Sequence, residues 1–212
     1  MASTVVLITG ANRGIGKGIL ELYLKKPNHL VIAANRDPTH PSSNALVELP
    51  KAEGTTLEII KIDALSPTDP AAAVKALAVK GITHIDVLVA NAAIALSWPK
   101  VSDVKVEEIQ EHIDVNVNFV PMQNAAYAPS KAIQHWYTKA ISVEDPWLNA
   151  FPVDPGWVQT DLGNRGAHAI GVEKAAITVE DSTTGIVRII DASTLQTHSG
   201  KLFKFDGNEE PW

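Results

Sequence analysis

The sequence predicts a single doubly wound α/β domain spanning residues 1–212, with a parallel sheet and helices on both faces. Three observations carry that expectation. Apolar, β-rich runs alternate with helical patterns along the chain, which requires crossover helices between parallel strands. The runs are nearly continuous in apolar residues, as in Asp86-Val87-Leu88-Val89-Ala90, the pattern of strands buried on both faces. A length of 212 residues, 45% of them hydrophobic and 20% charged, suits one ordinary core.

Element by element, the first strand is expected over 5–9, where Thr4-Val5-Val6-Leu7-Ile8 runs directly into Thr9-Gly10-Ala11-Asn12-Arg13-Gly14-Ile15-Gly16 and a helix over 14–25. A strand over 30–34 follows, then a short helix over 44–49 among Pro38, Pro41 and Pro50. Next come a strand over 57–62, a helix over 71–80, a strand over 85–90 and a helix over 104–117. The second half is read as a helix over 132–141, a strand over 149–153, a helix over 179–190 and a last short strand over 201–205. Residues 164–172, rich in glycine and small side chains, are expected to form a surface flap. No repeat, low-complexity tract or linker interrupts the pattern.

Acids outnumber bases 24 to 18, for a formal charge of −6, which argues against nucleic acid or an anionic membrane as partner and leaves a small molecule. There is no cysteine, so disulfide and thiolate chemistry are excluded. The opening residues show no basic segment followed by a long apolar run, and no stretch reaches membrane-spanning length, so a cytoplasmic protein is expected. His112 and His135 have no partners at metal-ligand spacing, so no metal site is expected.

The strand-to-glycine junction is where chemistry first enters. A buried strand feeding a glycine turn and a helix presents free backbone N–H groups and the positive end of a helix dipole, which suits a dinucleotide pyrophosphate. Gly10 would make the tight turn, Gly14 the close backbone approach and Gly16 the close packing of helix on sheet. This is the layout of a Rossmann-type domain. A phosphotransferase loop is excluded because Lys17 is followed by Gly18 rather than serine or threonine. At the end of the second strand, Asn35 stands where an NAD site would place a carboxylate, and Arg36, with Arg13 in the turn, can pair with the 2′-phosphate of NADP. NADP(H) is therefore favoured over NAD(H). Asp37 would serve as the ribose acceptor if the strand ran one residue longer, and either arginine could be a plain surface charge.

Tyr127-Ala128-Pro129-Ser130-Lys131 places a phenol and an ammonium four apart at the opening of a helix, on one face. A neighbouring cation favours phenolate and so lowers a tyrosine pKa, which makes Tyr127 a candidate general acid or base.

These residues resemble the short-chain dehydrogenases/reductases, through Thr9 to Gly16, Asn91-Ala92-Ala93 with alanine where that family carries glycine, the Tyr127/Lys131 pair, and Pro155-Gly156-Trp157-Val158-Gln159-Thr160. The resemblance implies that Lys131 also holds the nicotinamide ribose, that Asn116 helps relay protons, and that Asp63 with Ala64 contacts the adenine. On the residues alone, Asn116 and Asp63 read equally as helix caps. It further implies cofactor contacts from Gly10, Asn12, Arg13, Gly14, Ile15, Gly16, Asn35, Arg36, Asn91, Ala92, Ala93, Tyr127, Lys131, Pro155, Gly156, Val158 and Thr160, a carbonyl or alcohol substrate, and a homo-oligomer of two or four copies. Residues 146–161 resemble more narrowly the fungal ketoreductases of the norsolorinic acid ketoreductase kind, which implies a polyketide ketone and fungal secondary metabolism.

One interval departs from that pattern. Only ten residues separate Asn116 from Tyr127, too few to end a helix, cross a sheet and begin another helix. A block of about thirty residues, judged from ordinary element lengths, is expected to be missing between Val120 and Pro121. The family places a strand, a serine and a substrate loop there. Either the molecule carries the block in addition to these 212 residues, or it is a true deletion. In the second case the serine is gone, and such a chain is expected to bind cofactor poorly or not to fold; the alternative to a carbonyl-reducing enzyme is a catalytically impaired NADP(H)-binding sensor or scaffold.

Overall fold

The structure, a computed structural model, describes residues 3–94, 105–115 and 127–211. The chain divides into two compact units, Met1–Ala92 and Ala93–Trp212.

In the first unit, β1 (Thr4–Thr9), α1 (Gly14–Leu24), β2 (His29–Asn35), α2 (Pro41–Asn44), a 3-10 turn (Ala45–Glu48), β3 (Thr56–Lys61), α3 (Asp69–Val79) and β4 (Val87–Val89) follow in order. The sheet runs β3-β2-β1-β4 with every pair parallel, Val5 opposite Leu30 and Ile8 opposite Val89. β1 is buried on both faces, as its continuous apolar run requires. Val5 and Leu7 join Ile32, Ala34, Ile60, Ala73 and Leu77 in one cluster beneath α3. The alternate residues Val6 and Ile8 are fully buried on the opposite face. α1 packs on β1 and β2 and buries Ile19, Leu20, Tyr23 and Leu24, a 3.6-period stripe. α3 begins with Asp69 and Pro70, residues suited to a first turn. The expected doubly wound parallel arrangement is present here.

In the second unit, α4 (Val106–Val115) packs on α5 (Tyr127–Glu144), followed by β5 (Val153–Asp154), α6 (Asp161–Ala169), α7 (Val179–Ala192), α8 (Leu195–His198), β6 (Leu202–Lys204) and β7 (Glu209–Glu210). β5 and β6 are parallel; β7 joins antiparallel, forming a separate three-stranded sheet. α7 turns Ile186, Val187 and Ile189 inward, and Phe203 of β6 lies against Phe151 and His198.

Several elements differ from expectation. Residues 164–169, read as part of a surface flap over 164–172, belong to α6, because the Thr160 hydroxyl caps that helix by accepting from the Gly163 N–H at 3.1 Å. The strand expected over 149–153 begins only at Val153, after Pro152, which has no N–H to donate. β4 is three residues long and, among the described residues, pairs only with β1. The two-residue β7 carries no apolar alternation to announce it. No helix among the described residues is long and apolar enough to cross a membrane.

Candidate functional site

Within the first unit, the parallel register brings Gly10 to Gly16, Asn35 and Arg36, Asp63 and Ala64, and Asn91 and Ala92 to the carboxyl edge of the sheet, the edge where open α/β sheets bind ligands. Gly10 adopts φ +65, and a Cβ there would lie 3.0 Å from the Ala92 Cα. A Cβ at Gly16 would overlap the Gly10 carbonyl oxygen and the Asn91 Nδ2. The turn is thus compact enough that only glycine fits beneath it. Thr9 Oγ1 accepts from the N–H groups of Asn91 and Ala92, both at 3.0 Å, while Asn91 Nδ2 donates to Thr9 O at 2.9 Å, locking the end of β4 to the end of β1. α1 opens at Arg13 in extended backbone, with no side chain capping it and no acid in its first turn. Its leading N–H groups and dipole are left for an anion, and this donor set fits a dinucleotide pyrophosphate.

Gly16→Ala is expected to lower stability by about 1 to 3 kcal/mol, the ordinary cost of forced overpacking. The displaced turn is also expected to weaken dinucleotide binding at least about tenfold, each 1.4 kcal/mol being one decade. Thermal melts and fluorescence titration check both; a variant binding as the parent does would show that the cradle tolerates the side chain.

Asn35 is only 1% exposed. Its Oδ1 accepts from Ala11 N–H at 2.9 Å and its Nδ2 donates to Ser43 Oγ at 3.2 Å, so the side chain braces the glycine turn from inside. Asn12 Nδ2 donates to Ser42 Oγ at 2.8 Å, tying the same turn to α2. Arg13 and Arg36 are exposed. The Asp37 carboxylate accepts from Thr39 N–H at 2.8 Å and Thr39 Oγ1 at 2.7 Å, and these bonds hold it below the usual carboxylate range. Asp63 accepts from Leu65 N–H at 3.0 Å, a local turn bond beside exposed Ala64.

In the second unit, Tyr127 opens α5 and Lys131 stands one turn on, its Nζ 5.1 Å from the tyrosine ring centroid. Ser130 Oγ donates to the Tyr127 carbonyl at 2.6 Å, a bond local to the helix. Lys131 is 7% exposed, and burial pushes its ammonium down to about 7. Burial, with the Asp154 carboxylate adding to it, pushes the Tyr127 phenol up to about 12. The expected lowering of the tyrosine by the lysine is therefore outweighed here: a dry surrounding penalises both charged forms, and a carboxylate opposes a second anion. At neutral pH Tyr127 keeps its proton and Lys131 stands near the midpoint of its titration.

Asp154, absent from the expected site, is anchored by accepting the Gly156 N–H at 2.8 Å. Its signal in the sequence is its place between a strand and Pro155-Gly156. Thr9 was likewise not expected as a contact, although its place before Gly10 marks the strand end. Pro155 O accepts from Ser182 Oγ at 2.8 Å, Val158 is buried and bridges to Ile177, and Trp157 Nε1 donates to Gly163 O at 3.0 Å, so this indole packs over the start of α6. Thr160 is the α6 cap. Ile15 and Gly14 lie in the first turn of α1, and Ala93 begins the second unit. Asn116 and the interval around Val120 and Pro121 lie outside the described residues. No group of three or more metal-ligating side chains occurs among the described residues.

A family model for short chain dehydrogenases matches residues 4–129. The norsolorinic acid ketoreductase nor1 of Dothistroma septosporum is 35% identical over 249 aligned positions, covering 99% of this chain and 92% of that protein. The norsolorinic acid ketoreductase of Aspergillus parasiticus is also 35% identical, covering 99% and 91%. Among solved structures, an NADPH-bound carbonyl reductase from chicken fatty liver superposes with a TM-score of 0.84 at 21% identity over 100% of both chains, a likeness of fold.

Proposed function

The chain belongs to the short chain dehydrogenase family, and on that premise we propose that it is an NADP(H)-dependent oxidoreductase interconverting a ketone or aldehyde with an alcohol. The observation that carries the reading is the buried Tyr127 phenol, protonated at neutral pH, with the Lys131 ammonium beside its ring. A bound nicotinamide dinucleotide supplies or accepts the hydride. Tyr127 gives its proton to the carbonyl oxygen as that oxygen gains charge, and protonated Lys131 stabilises the phenolate left behind. In the reverse direction Tyr127 takes the proton back. The names of the two relatives support a polyketide ketone as substrate class. The reading carries with it a cytoplasmic homo-oligomer without nucleic-acid or membrane partners.

The preference for NADP(H) rests on two details at the end of β2. The Asp37 carboxylate, the competing ribose acceptor, is occupied by Thr39, and Arg36 is exposed beside it. Arg36→Ala is expected to weaken NADPH binding about 10-fold to 100-fold, the worth of one or two charge-assisted bonds, and to leave NADH binding unchanged. Equal loss for both dinucleotides would overturn the preference.

The reading itself is tested with purified protein, by titrating NADPH fluorescence and following NADPH oxidation against simple aldehydes and aromatic polyketide ketones. Saturable binding with carbonyl-dependent oxidation is expected; a protein that binds no dinucleotide would end the proposal. A second reading, NADP(H) binding without turnover in a sensor or scaffold, draws on the short interval between Asn116 and Tyr127.

A further inference from the structure

We infer that this chain has lost an internal, strand-bearing block between α4 and α5, and that the loss keeps dinucleotide binding while lowering carbonyl turnover at least about 100-fold. The inference rests on the oxidoreductase reading above and sets how strongly that activity is expressed.

Four observations converge. First, strand and helix alternate through β1, α1, β2, α2, β3, α3 and β4, yet α5 opens at Tyr127 only twelve positions (127 less 115) after α4 ends at Val115. A helix leaving a parallel sheet returns through a strand before the next helix begins. Second, the aligned stretch with the Dothistroma relative spans 249 positions while this chain has 212 residues, so at least 37 positions, 249 less 212, have no residue here. Because that stretch takes in 99% of this chain, those positions are internal to it. Third, the interval from Asn116 to Tyr127 holds only ten residues, fewer than a strand with two loops requires. Fourth, the first sheet ends at β4, whose Leu88 is 64% exposed despite lying in an apolar run, while β5 belongs to a different sheet. A missing strand that paired β4 accounts for that open edge.

The consequences divide between the two units. The braces of the dinucleotide cradle, Asn35 on Ala11, Ser42 on Asn12 and Asn91 on Thr9, are complete within the first unit. The pyrophosphate cradle therefore does not require the block. Proton transfer does, because the block immediately precedes α5, which carries Tyr127, and a misplacement of the proton donor by about 1 Å costs about 100-fold in rate. Loss of a hydrogen-bond donor to the carbonyl oxygen costs about 10²-fold to 10³-fold.

The test restores the block. The residues of the Dothistroma ketoreductase that align to the gap are inserted between Val120 and Pro121, and the native and restored proteins are compared. The expected result is an NADPH Kd within about threefold for the two proteins and kcat/KM for an aromatic ketone raised at least about 100-fold by the insertion. Comparable turnover by both would overturn the inference and leave the oxidoreductase reading standing; binding by both with turnover by neither would remove that reading, and the inference with it. Should the restored protein not melt cooperatively, the same residues are deleted from the Dothistroma enzyme. NADPH binding kept with turnover reduced at least about 100-fold supports the inference, and undiminished turnover overturns it.

Discussion

Tyr127→Phe is expected to lower carbonyl-dependent NADPH oxidation by about 10³-fold, within the range that a positioned general acid contributes, and to leave the NADPH Kd within a few fold. The substitution removes one oxygen and keeps the ring, so the packing of a largely buried side chain at the start of α5 is preserved and a melt should show little change. What disappears is the proton. Tyr127 holds it at neutral pH because burial and the Asp154 carboxylate both disfavour phenolate, and the ammonium of Lys131, 5.1 Å from the ring, is placed to receive the charge once the proton leaves. The comparison belongs on the block-restored protein as well as the native one, since the higher rate there gives the loss room to be read. A rate unchanged by the substitution would place proton donation on another group and remove the central element of the mechanism.

How much of this was legible in the sequence depends on whether a residue's role is set locally. The first strand and its glycine turn were readable because burial on both faces forces a continuous apolar run, and a tight turn under a helix forces glycine. The Tyr127/Lys131 pair was readable because helical spacing alone places them together. Asn35 shows the limit. Its position at a strand end reads as the place where an NAD site would hold a carboxylate, and only the assembled sheet shows the side chain turned inward, where it satisfies the Ala11 N–H. Asp37 adds a second such case: Thr39, two residues on, donates to its carboxylate in a local turn that the Asp-Pro-Thr run permits without requiring. α6 was masked by Gly163 and Gly166, which depress helix propensity, although its cap Thr160 was in plain view. Asp154 lies 27 positions beyond Tyr127 in the sequence, so its influence on the phenol exists only after α5 and β5 are assembled. Burial likewise decides the direction in which the tyrosine and lysine titrate, and burial of a single polar residue has no local signature in the sequence.

That burial makes Lys131 a measurable liability, and Lys131→Met is expected to stabilise the protein while abolishing turnover. The lysine's folded pKa, about 7, lies below its ordinary 10.5. Below pH 7 both folded and unfolded chains hold the proton, and the folded state bears the full penalty of a dry ammonium. Between about 7 and 10.5 the unfolded chain binds the proton and the folded chain does not, so wild-type stability rises with pH across that window. Above it both forms are neutral and the penalty is gone. At 1.36 kcal/mol per pKa unit, methionine is therefore expected to add about 3 to 5 kcal/mol at pH 6, with the gain shrinking steadily toward pH 10.5. Denaturant unfolding of both proteins at several pH values reads it directly. A gain independent of pH would attribute the effect to methionine packing alone, and a loss at pH 6 would mean that the ammonium's interactions outweigh its desolvation. Either way the expected cost in activity is separate: without a cation beside the ring, the phenolate formed when Tyr127 gives up its proton has nothing to offset its charge.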